Sequence, residues 1–598
     1  MGAFGAYDWI IALGFIGAAL DAYGIGANDV ANSFATSVSS RSLTLFQATI
    51  AAAICEFLGA VLAGSRVTDT IRSKIIQTST FNEDPAVLML AMLVALSVSA
   101  TWLLVATKIG FTVSTTHSIT FAVVGVGVAA TGTMESVSWG WKGVGGIIAG
   151  WAIAPGIAGI LSAIIYTICR LCILERKDSA KKAIMFGPLF FFAATAILVM
   201  NVVWKGSPGL KLNNLATATT VAAIFGTASV VALLAFLFWV PFVYARVIRG
   251  DYTVRWWDFF RGPLLWRRVP PADAGAFTAP AAVPDYYKGH GDTPAPEIAA
   301  LSAFQAGTHA VDEKNVRQEA LGGTESPSTE DKVDLKSSTA LTHDKVQFNA
   351  EGDLVRPHLD GDWYLPSNLV ILAKHYTIRK PWHNMTRDVV AMQAGGSDRV
   401  ASRIAAVHAQ AKQHPNSTEH AFSFLQVMTA CVMSFSHGAN DVSNAIGPFS
   451  TIYLIWRTGA TAGSRSPVPV WILVYGATFI VIGLATYGYK MMSRIGNRIT
   501  LHSPSRGFAM EAGAATTVVI ATQLALPVST TQTIVGSTVA VGLCGGSWRA
   551  VNWRQVLWII FGWILTVPLT SLASGLVFAI LLNSPRFGYA STVASQYE

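Results

Sequence analysis

The sequence predicts an all-α polytopic membrane protein of about twelve transmembrane segments, built as two inverted repeats with broken helices. Three observations carry this. Span-length apolar runs recur along the chain, separated by short polar turns. Only 13% of residues are charged, against roughly 25% in a soluble domain. Two short polar motifs each occur twice, in the same order, in the two halves of the chain.

The apolar segments fall near 7–38, 45–65, 86–107, 114–131, 144–174, 183–203 and 215–246, and then near 421–455, 468–490, 507–526, 529–545 and 553–582. The first is too long for one straight crossing and contains Gly24-Ile25-Gly26-Ala27-Asn28-Asp29. It reads as two half-helices with an unwound joint, which membrane depth tolerates only where the backbone is buried or lines a cavity. The expected domains are an N-terminal membrane half (1–246), a large, partly disordered loop (247–420), a C-terminal membrane half (421–585) and a short tail (586–598). The loop contains Pro270-Pro271, Pro280, Pro284, Pro294 and Pro296 and a charge-mixed stretch from Asp312 to Asp353, a composition that cannot bury a core. Its last part, Trp363 to Gln413, is richer in apolar residues and reads as a short helical element under the membrane domain.

Orientation follows from basic residues near span ends. Arg170, Arg176, Lys177, Lys181 and Lys182 follow the fifth segment; Arg246, Arg249, Arg255, Arg261, Arg267 and Arg268 follow the seventh. Lys490, Arg494, Arg498 and Arg506 lie between the ninth and tenth, Arg549 and Arg554 between the eleventh and twelfth. Twelve crossings place all four clusters inside if both termini are extracellular; Arg66, Arg72 and Lys74 oppose this, but Asp69, Glu83 and Asp84 share their loop. The central loop is then cytoplasmic, and the sequons at Asn384 and Asn416 are expected to carry no glycan.

The first duplicated motif is Gly26-Ala27-Asn28-Asp29-Val30-Ala31-Asn32 and Gly438-Ala439-Asn440-Asp441-Val442-Ser443-Asn444. A charge at the bilayer centre costs at least about 3 kcal/mol, so such residues mark a site by default. The second is Val113-Ser114-Thr115-Thr116 and Val528-Ser529-Thr530-Thr531. Each half has one order: acidic motif, two apolar segments, Val-Ser-Thr-Thr, then a Gly-rich helix. Seven crossings separate the two starts, and an odd number inserts the copies with opposite orientation. Inverted repeats with interrupted helices meeting near the midplane are typical of secondary transporters. If the Val-Ser-Thr-Thr elements are re-entrant hairpins, the span total changes.

Asp and Asn supply hard oxygen ligands for a small cation such as sodium. Ser and Thr hydroxyls at a helix start, with free N–H groups behind them, suit an oxyanion. Almost no Lys or Arg lies deep in a span; Lys108 is nearest. An anion meeting Asp29 and Asp441 is therefore repelled unless cations bind first, which is a physical basis for obligatory symport. Asp21, Glu56 and Glu511 are further intramembrane acids, and Glu56 is a cation ligand or a proton acceptor. The three are unmatched between the halves, as is His117, opposite Gln532. His117 and His437 suit a structural role as well as a functional one.

The net charge of +8 reads as membrane topology, so no nucleic-acid partner is expected. Cys55, Cys169, Cys172, Cys431 and Cys544 form no disulfide framework, and Cys169-x-x-Cys172 has no second pair to support a metal site. The loop lacks a phosphate-binding Gly-x-x-x-x-Gly-Lys-Ser/Thr motif, and no nucleophile–base set marks an enzyme.

With both signatures duplicated in order, the chain resembles the inorganic phosphate transporter (PiT) family, and within it the fungal sodium/phosphate symporters of the plasma membrane. The resemblance covers both membrane halves. It implies sodium-coupled phosphate import, often as a homodimer, with no cofactor beyond the co-transported ion. The family's sodium-site aspartates fall on Asp29 and Asp441, with Asn28, Asn32, Asn440 and Asn444 beside them. Its phosphate-binding hydroxyls fall on Ser114, Thr115, Thr116, Ser529, Thr530 and Thr531, and its coupling glutamates on Glu56 and Glu511. The departures are Gln532, where many members have histidine, and Phe121, where glycine is common. The alternatives are proton coupling through Glu56, another oxyanion such as sulfate, or a phosphate-sensing transporter-receptor.

Overall fold

The computed structural model describes residues 5–204, 212, 215–275, 281–288, 354–359, 361–394, 398–461 and 468–584. The tail from 586 and the whole charge-mixed stretch from Asp312 to Asp353 lie outside these residues. Two compact units are present: Met1–Gly291 together with Asn384–Glu598, and Asp292–His383. The described residues are helical and contain no β-strand.

In the larger unit the first half runs α1 (Asp8–Asn28), α2 (Val30–Ser39), α3 (Leu45–Ala63), α4 (Ser65–Ser73), α5 (Pro85–Ile109), α6 (Thr115–Thr131), α7 (Val144–Cys169), α8 (Ser179–Val203), α9 (Thr217–Leu234) and α10 (Val240–Val247). The smaller unit contributes α11 (Pro366–Lys374). The larger unit resumes with α12 (Val389–Ala394), α13 (Asp398–His408), α14 (Asn416–Thr458), α15 (Val470–Met492), α16 (Pro504–Gln523), α17 (Thr530–Leu543) and α18 (Trp553–Asn583).

Local chemistry sets the ends. Thr44 and Gln47 close a reciprocal capping box before α3. Asp84 caps α5 with Pro85 in its first turn, and α5 stops at Gly110 in the left-handed region at φ 81°. The solvent of the outer helices is apolar: Val221, Phe225, Val230, Leu233 and Phe236 are all exposed. A helix that is apolar all round belongs in a bilayer.

Each of the twelve expected segments coincides with a helix, and eight are long and apolar enough to cross a membrane. Of the other four, three carry a motif at or within them: α6, α14 and α17. α14 and α16 are long enough but too polar, while α6 and α17 are short. At 1.5 Å per residue α17 is about 21 Å long, less than a ~30 Å hydrocarbon core. The unwound joint is corrected. α1 and α2 are interrupted only at Asp29, itself near helical geometry (φ −95°, ψ −36°), and α14 runs through Gly438–Asn444 without a break. The motif side chains find partners on other helices, so the backbone need not open to satisfy them.

The halves are interleaved by matched packing. α1 lies on α5 and on α15; correspondingly, α14 lies on α16 and on α3. α6 packs on α18, and α17 on α7. Gly26 touches the Ile480 carbonyl, where a Cβ would sit 1.9 Å away, and Gly438 touches the Glu56 carbonyl, where it would sit 2.3 Å away. α8–α10 have no counterpart in the second half; α8 and α10 form a separate apolar cluster with α7, α14, α16 and α17.

Candidate functional site

All fourteen residues expected at the site are buried, and most converge. Thr115, in the first turn of α6, donates its hydroxyl to Asp29 Oδ2 at 2.8 Å. Thr530, in the first turn of α17, donates to Asp441 Oδ2 at 2.7 Å. Thus each aspartate is bound by the Val-Ser-Thr-Thr of its own half. The second asparagines reach across. Asn32 donates to Thr531 Oγ1 at 2.7 Å, and Asn444 to Thr115 and Thr116 Oγ1 at 3.1 and 3.2 Å. Thr531 passes its hydroxyl hydrogen to Asp29 Oδ1 at 3.1 Å. Asp29 therefore terminates two directed chains, Asn444→Thr115→Asp29 and Asn32→Thr531→Asp29. The carboxamide oxygens Oδ1 of Asn32 and Asn444 are buried with no partner. They are free hard-oxygen ligands at matched positions.

The first asparagines brace this centre. Asn28 donates to Thr107 Oγ1 and the Phe111 carbonyl, both at 3.0 Å, and accepts from Val113 N at 3.3 Å. Asn440 meets Thr522 Oγ1 at 3.2 Å; in the amide orientation that satisfies both its ends, it donates to Asp441 Oδ1 at 3.0 Å and to the Val528 carbonyl at 3.2 Å. Thr107 and Thr522 are additions to the expected set. Their one sequence signal is an equal eight-residue spacing ahead of Thr115 and Thr530. Ser114 and Ser529 act locally: their Oγ atoms cap α6 and α17 by accepting from His117 N and Gln532 N at 3.3 and 3.2 Å.

Glu56 reaches the centre through a histidine. Its Oε2 lies 2.8 Å from His437 Nδ1, and its Oε1 accepts from Ser434 at 2.8 Å. His437 Nε2 lies 2.9 Å from Asp441 Oδ2, without hydrogen-bond alignment. Ligand atoms of Asp29, His437 and Asp441 fall within 4.8 Å of one another. The gathering of three acids around one imidazole, away from water, demands positive charge to be stable. The packing match that pairs Gly438–Glu56 with Gly26–Ile480 makes Ile480 the counterpart of Glu56. Ile25, just before Gly26, is then the counterpart of His437.

Glu511 does not join the aspartates. It sits in a cage of its own between α2, α14 and α16. Thr36, Ser37 (2.8 Å) and the Gln426 amide (3.3 Å) donate to Oε1, and Thr429 donates to Oε2 at 2.7 Å. Its counterpart by spacing is Leu96, which packs against Gly17, the counterpart of Thr429. Asp21 is buried beside Ser99 and joins neither cluster. His117 stacks on Trp151 with ring centroids 3.6 Å apart. The five cysteines are free thiols.

Residues 25–574 match the model of a family described as the phosphate transporter family. The phosphate-repressible phosphate permease pho-4 of Neurospora crassa is 42% identical, over 98% of this chain and 99% of that one. The sodium-dependent phosphate transporter 2 of Bos taurus is 32% identical, over 96% of this chain and 98% of that one. A solved structure titled the sodium-dependent phosphate transporter has the same fold, with a TM-score of 0.60 over 96% of this chain and 99% of its own, at 24% identity. The duplicated acidic and hydroxyl motifs, their interlocking at the centre of a helical membrane fold and this family match agree: the chain belongs to the phosphate transporter family, whose members are transporters rather than enzymes.

Proposed function

We propose that this protein imports inorganic phosphate together with sodium, by alternating exposure of the centre built on Asp29 and Asp441. The observation that carries the reading is the pair of directed chains ending on Asp29, together with the unpartnered Oδ1 atoms of Asn32 and Asn444. Without cations, the threonine hydroxyls are spent on the carboxylates. Sodium bound by Asp29, Asp441 and the free carboxamide oxygens takes over those carboxylates. The hydroxyls of Thr115, Thr530 and Thr531 are then released to donate, beside Thr116, to a phosphate at the starts of α6 and α17, where helix dipoles also favour an anion. Sodium first and phosphate second follows from this order of charge neutralisation. Glu511 in its hydroxyl cage serves as a further sodium site, and Glu56 couples to Asp441 through His437. The sodium-dependent relatives support sodium as the coupling ion.

The plasma membrane is taken from the family resemblance, and both termini outside with the 247–420 segment in the cytoplasm from the basic residues that flank the spans. Assembly as a homodimer rests on the family resemblance. One rival has a specific observation behind it: His437, between Glu56 and Asp441, is positioned as a proton relay. Phosphate uptake measured in sodium against choline at one pH separates the two. Uptake that ignores sodium and follows pH removes the sodium reading.

A further inference from the structure

Between the α2–α3 turn, the 281–288 segment and the ends of α10 and α14, at the end of the bundle assigned to the cytoplasm, lies a cavity of about 850 Å³. That is the size of a small-molecule pocket, roughly 300–1,000 Å³, and far more than a lone ion needs. Arg41, Arg246 and Lys288 line it, with Ser42, Tyr286 and His420.

Its charge is unbalanced. The one carboxylate in the lining, Asp285, is engaged elsewhere, accepting from Tyr287 N at 2.9 Å and Asn416 Nδ2 at 3.1 Å. Arg41 donates Nε to the Lys288 carbonyl at 3.0 Å, and the carboxylate it pairs with, Asp388, is distant at 3.9 Å and half exposed. Arg246 spends one nitrogen on the Ala282 carbonyl at 3.0 Å, and its Nε is buried with no partner. His420 is 94% buried; its Nδ1 pairs with the Tyr286 hydroxyl at 2.6 Å, and its Nε2 has no partner. Arg41 is also one of two non-glycine residues among those described with a left-handed backbone, at φ 61°. That conformation is strained by about 1 kcal/mol, and such strain collects at functional sites.

The floor of the cavity is wired to the transport machinery. Ser42 donates to Gln426 Oε1 at 2.6 Å, and the amide of the same Gln426 donates to Glu511 at 3.3 Å. An occupant touching Ser42 sits two hydrogen bonds from Glu511.

We propose that this cavity binds a multiply phosphorylated ligand, either a soluble polyphosphate ester or a phosphoinositide headgroup, at a site separate from the transported phosphate. Guanidinium forks match phosphate oxygens, and three cations facing one occupied carboxylate call for more than one phosphate. The unpartnered Arg246 Nε–H and the unpartnered ring nitrogen Nε2 of His420 supply direction.

The test uses the purified full chain, with both faces accessible. Binding of inorganic tripolyphosphate is measured in detergent. Binding of vesicles of phosphatidylcholine with or without phosphatidylinositol bisphosphate is measured on protein in nanodiscs. Tripolyphosphate binding identifies a soluble source, and lipid-dependent binding a membrane source; either supports the site. Loss of one charge-assisted contact in Arg246→Gln weakens binding about tenfold, and Lys288→Gln, at an exposed position, weakens it without risk to folding. Thr115→Val leaves it unchanged. The proposal is overturned if neither probe binds, if binding is indifferent to both substitutions, or if the chain binds only inorganic phosphate and loses it in Thr115→Val.

Discussion

Thr531 donates its hydroxyl to Asp29 at 3.1 Å, joining residues 502 positions apart. The bond makes the acidic motif of one half depend on the hydroxyl motif of the other. Thr531→Val leaves the Asn32 amide and one Asp29 oxygen without their partner. Leaving buried groups unsatisfied costs about 1–3 kcal/mol each. Phosphate uptake is expected to fall at least about tenfold, with a lowered Tm, while Thr531→Ser retains most of both. Equal uptake by the valine variant contradicts this role.

Asp29→Asn and Asp441→Asn keep the shape of the side chains and remove the charge that sodium would neutralise. Each is expected to abolish sodium-dependent uptake while the protein still reaches the membrane. Phosphate signalling that survives Asp29→Asn, with uptake gone, points to the receptor alternative.

Glu56 and His437 form a polar pair where the other half has Ile480 and Ile25. Breaking a buried pair costs about 3–5 kcal/mol because it strands a charge, whereas replacing both partners is often neutral. Glu56→Ile alone is therefore expected to lower Tm more than the double change Glu56→Ile with His437→Ile. Neither should transport. A double variant less stable than both singles goes against the counterpart assignment.

Glu511 holds four donors from α2 and α14 and touches neither aspartate. Thr429→Val removes one of them. It is expected to raise the sodium concentration for half-maximal uptake about threefold or more, the effect of losing one hydrogen bond, with little change in the KM for phosphate. An effect on phosphate KM alone places Glu511 on the anion path.

Gly438→Ala puts a methyl group 2.3 Å from the Glu56 carbonyl, and Gly26→Ala one 1.9 Å from that of Ile480. Both contacts are with backbone, which cannot rotate away. Each variant is expected to express poorly, as judged by fluorescence-detected size exclusion; normal folding of either rejects the close crossing.

The helices were legible because a bilayer forces apolar runs of fixed length, and the centre was legible because its motifs are written twice. What is written once was harder. Ser434, Thr36, Ser37, Gln426 and Thr429 surround the two glutamates, yet each is an ordinary polar residue in an apolar run, and its counterpart carries no polar group at all. The continuity of α14 was hidden for another reason. Glycines beside an acid suggest a broken helix, but here they serve a close backbone crossing that only an intact helix can make.

The central claim is that sodium drives phosphate entry through the Asp29–Asp441 centre. Its most direct test is radiolabelled phosphate uptake into proteoliposomes of the purified chain, with an inward sodium gradient or choline in its place at one pH. The account predicts accumulation with sodium and none above background with choline, and no accumulation by Asp29→Asn in either. Equal uptake in choline, or uptake that needs only a proton gradient, contradicts it.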